Sequence, residues 1–306
     1  MSEAPSLTGV MAAVATPMTP DLTPDIKRWG DHCRRLLANG CDALAIFGTT
    51  GEANSFTADE RMLALEALIE EQEIPADKII VGTGVCALPD AVRLSAHAVD
   101  LGAAGCLVLP PFYYKNVHDQ GLIDAFTVLI DSVADDRLKV YLYHFPQLAG
   151  VPLPLRVVVY LAQTYPQTVV GLKDSSGDFE NMRAILQELP GFGLFSGSDE
   201  FLLSVLEQGG AGCITAVANV AGFLAGNVLA DWRLGDVKSA GAWQEKLTRV
   251  RKEVIAYPGT SAVKAILARL DGSAEWLTVR PPLRPLTAAE SDHLFARLDE
   301  IGVDLG

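Results

Sequence analysis

The sequence has few of the features that mark secreted or disulfide-stabilised proteins. Only five cysteines occur among its 306 residues, scattered along the chain and with no C-x-x-C pair. That pattern argues against a disulfide framework or a zinc site, and it fits a reducing cytoplasm. Residues 1–5 contain neither a basic nor an apolar signal-like segment, so we expect no secretory signal and a cytoplasmic location.

Positive charge and long apolar runs are also scarce. The formal net charge of −14 argues against nucleic acid and anionic membrane surfaces as partners, although a small anionic substrate needs only a local group of donors. One uncharged stretch, residues 208–230, is broken by glycines and asparagines. It therefore predicts a buried strand, a loop and a helix, and no membrane span.

Histidine is too sparse to supply a metal site. Five histidines are present, and only His144 ends a strand-like run; the others occupy helix-like or loop segments. A metal-dependent aldolase is a rival hypothesis that lacks ligands in this pattern, and we expect no metal. We also find no glycine-rich dinucleotide fingerprint after the first apolar run.

What the sequence does have is an alternation of short apolar runs with amphipathic, helix-like segments. Hydrophobic residues make up 49% of the chain, enough for a sizeable core. Eight runs are predicted to be strands: Val10–Thr16, Ala43–Phe47, Lys78–Gly84, Gly105–Leu109, Lys139–His144, Val169–Lys173, Gly193–Ser196 and Gly212–Ala216. Eight such units predict an α/β fold, a closed (β/α)₈ TIM barrel, over residues 1–224.

Helix signals lie between these runs and after the last of them. Thr23, followed by Pro24, is predicted to cap the first helix, and Thr57 with Glu60 forms a capping box for the second. Residues 225–306 continue as helix-like segments broken by Pro258 and by residues 281–282. We therefore predict a C-terminal helical region, 225–306, packed on the barrel.

Lys173 is the most informative residue, because it ends the buried run Val169–Lys173 and is followed by a polar loop. A lysine is seldom buried without a reason, since an ammonium loses its hydration in an apolar site. Desolvation of an amine favours its neutral form, which can attack a carbonyl to give a Schiff base. The alternative is a lysine that extends past the strand end to water or pairs with Asp174.

In a barrel the active site lies at the C-terminal ends of the strands, and four further polar ends fall there. They follow the second, fourth, fifth and seventh strands, the fourth ending in residues 110–114. Three of them have an ordinary explanation alone: a turn for residues 48–52, core tyrosines on the fifth strand, and a helix cap for Asp199. The convergence of these ends with a lysine is what favours catalysis. A phenol beside the amine could shuttle protons, and a 2-oxo acid would offer a ketone to the lysine and a carboxylate to the loop at 48–52.

Three segments carry a family resemblance: Gly48-Thr49-Thr50-Gly51-Glu52, Tyr143-x-x-Pro146 and Gly171-x-Lys173. They resemble the dihydrodipicolinate synthase / N-acetylneuraminate lyase family of class I aldolases, over residues 7 to 300. The resemblance implies a (β/α)₈ barrel with a helical C-terminal extension. It also implies a homotetramer built as a dimer of dimers, and chemistry that needs no cofactor beyond the covalent imine.

The same resemblance implies roles for individual residues. Lys173 would be the Schiff-base lysine and Tyr143 the proton shuttle. Thr49 and Thr50, with Gly48, would bind the pyruvyl carboxylate, and Thr49 would link Tyr143 to Tyr114. Tyr114 would reach into the neighbouring subunit's site, as its counterpart does in the synthase branch.

Departures from the synthase pattern bear on the substrate. Leu148 stands where the synthases carry an arginine for the aspartate-semialdehyde carboxylate, and an apolar side chain cannot replace that contact. The segment Gly197-Ser198-Asp199-Glu200 resembles the one with which the lyase branch holds sugar hydroxyls. Ala216 replaces the serine expected in sialic acid lyases. Ser175 matches a hydroxyl residue of the same lyase branch, and His144 ends the fifth strand. The residues expected to bind substrate are Thr50, Gly48, Ser175, Gly197, Asp199, Glu200 and His144.

These observations favour a Schiff-base-forming lyase, an aldolase or a dehydratase, acting on a 2-oxo acid. A 2-oxo-3-deoxy sugar acid with pyruvate as product is the leading hypothesis. Condensation of pyruvate with aspartate semialdehyde by a synthase is the alternative enzyme. A non-catalytic 2-oxo-acid-binding regulator is the alternative from another class, because a fold alone does not fix activity.

Overall fold

The computed structural model describes residues 7–303 and residue 305, so the segment 1–5, where no signal is predicted, lies outside the described residues. In these described residues, eight strands form a closed barrel in chain order, which confirms the predicted fold. The strands are β1 (Gly9–Ala13), β2 (Ala43–Ile46), β3 (Ile79–Gly82), β4 (Gly105–Val108), β5 (Val140–His144), β6 (Val169–Asp174), β7 (Gly193–Ser196) and β8 (Gly212–Thr215).

Helices follow the strands and continue after the last of them. They are α1 (Ile26–Ala38), α2 (Ala58–Glu70), α3 (Leu88–Asp100), α4 (Asp119–Val133), α5 (Pro146–Ala149), α6 (Leu155–Thr164), α7 (Phe179–Glu188), α8 (Leu202–Glu207), α9 (Ala218–Arg233), α10 (Val237–Ile255), α11 (Gly259–Asp271) and α12 (Ala288–Ile301). Within the described residues, no helix is both long enough and apolar enough to cross a membrane. The stretch 208–230 folds as the predicted strand, loop and helix.

The chain divides into two compact units. One unit contains residues 75–214 and the segment that ends at Gly9, and we call it the central unit because it holds the middle of the sequence. The other contains residues 10–74 and 215–306, and we call it the flanking unit because its residues precede and follow that stretch of sequence. In the central unit, neighbouring strands from β3 to β8 pair in parallel. In the flanking unit, β1 pairs in parallel with β2, and α10 packs against α9, α11 and α12. The predicted boundary between residues 224 and 225 stays a prediction, and α9 runs continuously across it.

Local capping explains where two helices of the flanking unit begin. The capping box of Thr57 and Glu60 is present at α2, as predicted. The prediction of Thr23 as the cap of α1 is wrong: Asp25 caps that helix, and its carboxylate accepts a hydrogen bond from the N–H of Arg28. Pro24 is instead engaged in an antiparallel bridge with Met18, which keeps it outside the helix.

Candidate active site

Lys173 and Tyr143 are register partners on neighbouring strands, β6 and β5, of the central unit. Both are buried, with 4% and 3% of their surfaces exposed. The Nζ atom of Lys173 lies 4.5 Å from the centroid of the Tyr143 ring. Among the residues that the structure describes, no carboxylate forms an ion pair with Lys173. The predicted alternative in which Lys173 pairs with Asp174 is therefore not what the structure contains.

Tyr141 lies next to this pair, because it precedes Tyr143 by two residues on β5. Its ring packs edge-to-face against Phe195, with centroids 5.9 Å apart. A Cβ atom placed on Gly171 would overlap the carbonyl oxygen of Gly193 and lie 2.7 Å from the Tyr141 ring, and one placed on Gly105 would lie 2.8 Å from that ring. Both strands therefore need glycine to accommodate this ring. The glycine of Gly171-x-Lys173 makes room for Tyr141 and for the main chain of β7 at Gly193. The side chains of Tyr141 and Tyr143 share one face of the sheet.

Ser175 and Gly197 are brought together at the ends of β6 and β7. The N–H of Gly197 donates to the carbonyl of Asp174 over 2.6 Å, and a Cβ atom on Gly197 would overlap the hydroxyl of Ser175. Because Ser175 follows Lys173 by two residues, alternation along the extended chain directs it to the same face as the lysine. The absence of a side chain at Gly197 is what leaves space for that hydroxyl.

His144 lies on the opposite face of β5, where it is the register partner of Asp174. Its Nδ1 atom accepts a hydrogen bond from the N–H of Leu153 over 3.0 Å, so the neutral ring carries its proton on Nε2. Burial lowers the pKa of His144, against the opposing effect of the nearby Asp174 and Asp178 carboxylates. A substrate contact through His144 stays a prediction, and its Nε2–H is the group available for one.

The segment after β7 contains a buried carboxylate and a buried hydroxyl. Asp199 is fully buried, and Glu200 beside it is half-buried. Ser198 is 4% exposed, and its hydroxyl has no hydrogen-bond partner among the described residues. A buried hydroxyl without a partner is costly, and a bound hydroxyl or water would satisfy that of Ser198. Ser198 was not among the substrate-binding residues expected from the sequence.

Tyr114 and Leu148 both lie on the surface of the central unit. Tyr114 is 74% exposed in the loop after β4, where it packs edge-to-face on Tyr113 with centroids 5.3 Å apart. Leu148 is 65% exposed on the short helix α5. Such large exposed apolar side chains are notable in a single chain, and the role of Tyr114 in a neighbouring subunit stays a prediction.

In the flanking unit, the loop of residues 48–52 follows β2. Thr50 is buried and Thr49 is half-buried. Phe47, which precedes the loop, and Glu52, its last residue, have positive φ angles of 51° and 58°. A Cβ atom on Gly51 would lie 2.9 Å from the carbonyl of Val14, so this position requires glycine.

The loop is held by a buried ion pair that sequence reasoning missed. Lys264, from α11, donates to the carboxylate of Glu52, and both side chains are fully buried. Glu52 also accepts from the N–H of Arg280 over 3.0 Å, and Lys264 also donates to the carbonyl of Thr278 over 2.7 Å. Burial lowers the pKa of Lys264, and the Glu52 carboxylate opposes that effect. Glu52 and Lys264 are 212 residues apart, and no local pattern connects them.

The part of the chain that the structure describes contains no group of three or more histidine, cysteine, aspartate or glutamate residues arranged to hold a metal ion. The expectations that the chemistry needs no metal and no cofactor stay predictions, since nothing else bears on them.

Comparison with known proteins places this architecture in one family. The model of the dihydrodipicolinate synthetase family matches residues 6–301. The chain is 36% identical over 296 residues to an uncharacterized DapA-like lyase of Chloroflexus aurantiacus, covering 96% of each chain. It is 31% identical over 288 residues to 4-hydroxy-tetrahydrodipicolinate synthase 1 of Halalkalibacterium halodurans, covering 93% of this chain and 94% of that one.

A solved structure gives the same result. The crystal structure of YagE, a prophage protein of the dihydrodipicolinic acid synthase family from E. coli K12 in complex with pyruvate, superposes with a TM-score of 0.89. Its sequence is 28% identical, and the match covers 97% of this chain and 99% of that one. The protein is thus an enzyme of the lyase and synthase class with a (β/α)₈ barrel. It belongs to the dihydrodipicolinate synthetase family, which confirms the resemblance seen in the three sequence motifs.

Proposed function

We propose that the protein is a Schiff-base-forming lyase that acts on a 2-oxo-3-deoxy sugar acid and that Lys173 is its nucleophile. The observation that carries this proposal is the buried amine of Lys173, set 4.5 Å from the Tyr143 ring centroid with no carboxylate partner among the described residues. A lysine paired with a carboxylate is held as an ammonium ion, whereas an amine must be neutral to attack a ketone.

The chemistry follows from that attack. The neutral amine adds to the C2 ketone of the substrate to give a carbinolamine, which loses water to give a protonated imine. Formation and collapse of the carbinolamine require proton transfers at oxygen, and we assign these to the phenol of Tyr143. The imine withdraws electrons from the neighbouring carbon, and this step prepares the substrate for either of two outcomes.

In aldol cleavage, the C4 hydroxyl loses its proton, the C3–C4 bond breaks, and the electron pair passes into an enamine. Protonation of C3 and hydrolysis of the imine then release pyruvate and an aldehyde. In dehydration, C3 loses a proton and the C4 hydroxyl leaves as water, so the product keeps all its carbon atoms. Both routes share the imine on Lys173, and product analysis separates them.

The assignment of the other site residues remains a prediction from family membership. Gly48, Thr49 and Thr50 are assigned to the substrate carboxylate, and Tyr114 is assigned to a neighbouring subunit in a homotetramer. Ser175, Gly197, Asp199, Glu200 and His144 are assigned to the rest of the substrate. A cytoplasmic location and action without a cofactor are proposed on the same basis.

A sugar-acid substrate is supported by the residues beyond the pyruvyl group. Carboxylates and hydroxyls accept hydrogen bonds from a polyol, and the segment after β7 offers Ser198, Asp199 and Glu200. At the position where the synthases carry a carboxylate-binding arginine, Leu148 offers no charge-assisted contact. Condensation of pyruvate with aspartate semialdehyde is the second candidate, favoured by the 31% identity to a relative named as a 4-hydroxy-tetrahydrodipicolinate synthase.

Product analysis with the wild-type enzyme tests the proposal. We would incubate it separately with 2-oxo-3-deoxy sugar acids and with pyruvate plus aspartate semialdehyde, and follow products by mass spectrometry. Release of pyruvate or of a dehydrated acid from the sugar acids supports the proposed lyase. Efficient condensation with aspartate semialdehyde and no turnover of sugar acids would replace it by the synthase. Binding of 2-oxo acids without turnover of any would indicate the non-catalytic regulator.

The Leu148→Arg variant sharpens the choice, and Leu148→Met is its control. If the synthase geometry is otherwise present, arginine at this position should improve use of aspartate semialdehyde, and it should not improve turnover of a sugar acid. No gain with aspartate semialdehyde would leave the substrate assignment based on Leu148 unsupported. A wild-type enzyme that already uses aspartate semialdehyde as well as the Leu148→Arg variant does would remove the argument based on Leu148.

A further inference from the structure

The loop of residues 48–52 depends on contacts outside itself for its conformation. Phe47 and Glu52 both occupy the left-handed region, at φ angles of 51° and 58°, which side chains other than glycine rarely adopt. Such residues persist only where surrounding contacts over-determine them. The contacts that hold this loop are therefore part of what gives it its shape.

Two sets of contacts hold the loop. The hydroxyl of Thr16 donates to the carbonyl of Gly51 over 2.8 Å. The carboxylate of Glu52 accepts from the ammonium of Lys264 and from the N–H of Arg280. Lys264 is itself fixed by its second hydrogen bond, to the carbonyl of Thr278. The carboxylate of Glu52 is thus fixed in position by groups from two other segments of the flanking unit.

The position of Glu52 is transmitted to the threonines through the main chain. The N–H of Glu52 donates to the carbonyl of Thr49 over 3.1 Å, and the N–H of Ala53 donates to the carbonyl of Gly48 over 3.2 Å. Movement of Glu52 would therefore displace the peptide groups of Gly48 and Thr49. These are the groups assigned to the substrate carboxylate.

Stability alone is a poor reason for a fully buried ion pair. Removing two charges from water costs about as much as their attraction returns, so apolar residues of similar size often serve a core equally well. An ion pair with additional hydrogen bonds fixes the orientation of the carboxylate, because each donor constrains the oxygen that accepts from it. The Lys264–Glu52 pair is therefore suited to fixing the geometry of the loop at residues 48–52.

We propose that Lys264 and Glu52 act together as positioning residues that set the Gly48–Thr50 main chain for the carboxylate of the 2-oxo acid. This inference rests on the proposed function, since it assumes that this loop binds that carboxylate. Neither side chain touches the substrate. Their loss should therefore weaken binding of carboxylate-bearing ketones and leave the capacity of Lys173 to form an imine intact.

Borohydride trapping of pyruvate on the full-length enzyme, measured against pyruvate concentration, tests the inference. The Glu52→Gln/Lys264→Met variant removes both charges together, so that neither is left buried alone. We expect its half-saturating pyruvate concentration to rise about tenfold or more, because small displacements of binding groups have large effects. The maximal fraction of Lys173 labelled should stay as in the wild type. Arg269→Gln/Asp299→Asn, which removes an exposed ion pair between α11 and α12, is the matched control and should change neither quantity.

Pyruvamide, which lacks the carboxylate, separates positioning from a general structural effect. The double variant should label with pyruvamide at the wild-type half-saturating concentration. An unchanged response to pyruvate, or equal weakening with pyruvate and pyruvamide, would overturn the positioning role while Lys173 labelling in the wild type keeps the proposed function. Absence of labelling in the folded wild type would remove the proposed function and this inference with it.

A conservative variant covers loss of folding in the double variant. Glu52→Asp keeps both charges but shortens the acidic side chain by one methylene, and we expect a smaller rise in half-saturating pyruvate with the same maximal labelling. If both variants fail to fold, the pair is a stability element of its unit and the positioning role is wrong.

Discussion

Within the part of the chain that the structure describes, two lysines are buried, and their electrostatic settings are opposite. In the central unit, Lys173 is 4% exposed and faces the ring of Tyr143, without a carboxylate partner among the described residues. In the flanking unit, Lys264 is fully buried and forms an ion pair with Glu52. One residue type is thus buried beside two different kinds of neighbour.

The neighbour of each lysine determines whether that lysine can react with a substrate or can hold part of the fold in place. An ammonium that is paired with a carboxylate and donates two hydrogen bonds has no lone pair to offer, so Lys264 is suited to hold a loop in place. An amine beside a phenol and free of a counter-ion is suited to attack a carbonyl. Burial alone does not identify a nucleophilic lysine, and the identity of its neighbour does.

The same substitution at the two lysines should have opposite effects. Lys173→Met should reduce turnover by at least about 10³-fold, because no other group supplies the imine. It should not lower the free energy of unfolding, since an apolar side chain replaces a buried amine that lacks an anionic partner. Turnover assays and urea denaturation measure the two quantities. Retained turnover would contradict the assignment of Lys173 as nucleophile.

Lys264→Met should lower the free energy of unfolding by about 3–5 kcal/mol, because it leaves the Glu52 carboxylate buried without its counter-ion. The maximal labelling of Lys173 by pyruvate and borohydride should persist at temperatures where the variant is folded. Arg269→Gln, at an exposed ion pair in the same unit, should cost at most about 1 kcal/mol. Equal losses in the two variants would show that burial of the pair has no energetic consequence.

Tyr143→Phe tests whether the neighbour of Lys173 contributes its hydroxyl or only its ring. Phenylalanine keeps the packing but removes the proton shuttle, so turnover should fall by about 10²-fold or more. Tyr141→Phe is the control on the same strand and face, and its turnover should stay within about threefold while stability falls by about 1 kcal/mol. If the two variants lose turnover equally, the effect is one of packing and not of proton transfer.

Gly197→Ala should have the smallest effect on activity. Its methyl group would displace the Ser175 hydroxyl and press on the main chain of Ser175 and Asp174, so the substrate KM should rise about tenfold with a smaller change in kcat. Gly121→Ala, in α4 where no atom lies within 4 Å of the added methyl group, is the control. An unchanged KM in steady-state assays would show that Ser175 is not a substrate contact.

Much of the central unit's contribution to the site could be predicted from local sequence. A buried strand ending in Lys173, with Tyr143 near the end of the preceding strand, is visible because strands are short and parallel strand ends converge at one rim. The motif glycine Gly171 could be noticed but not explained. Its reasons are the carbonyl oxygen of Gly193 and the Tyr141 ring, which belong to the two neighbouring strands.

The flanking unit shows what local sequence cannot provide. Glu52 was part of a recognised motif, but Lys264 lies 212 residues later in an ordinary helix, where a lysine is usually exposed. Asp25 replaced the predicted cap Thr23 because the loop before α1 forms its own bridge at Pro24. Partners that are distant in sequence come together only through tertiary packing, and no periodicity or spacing encodes them.

Peptide mapping after borohydride reduction in the presence of pyruvate tests the central claim most directly, because it examines every lysine of the wild-type enzyme at once. We expect a reduced pyruvyl adduct on Lys173 and none on Lys264. Absence of an adduct in the folded enzyme, or an adduct on another lysine in place of Lys173, would contradict it.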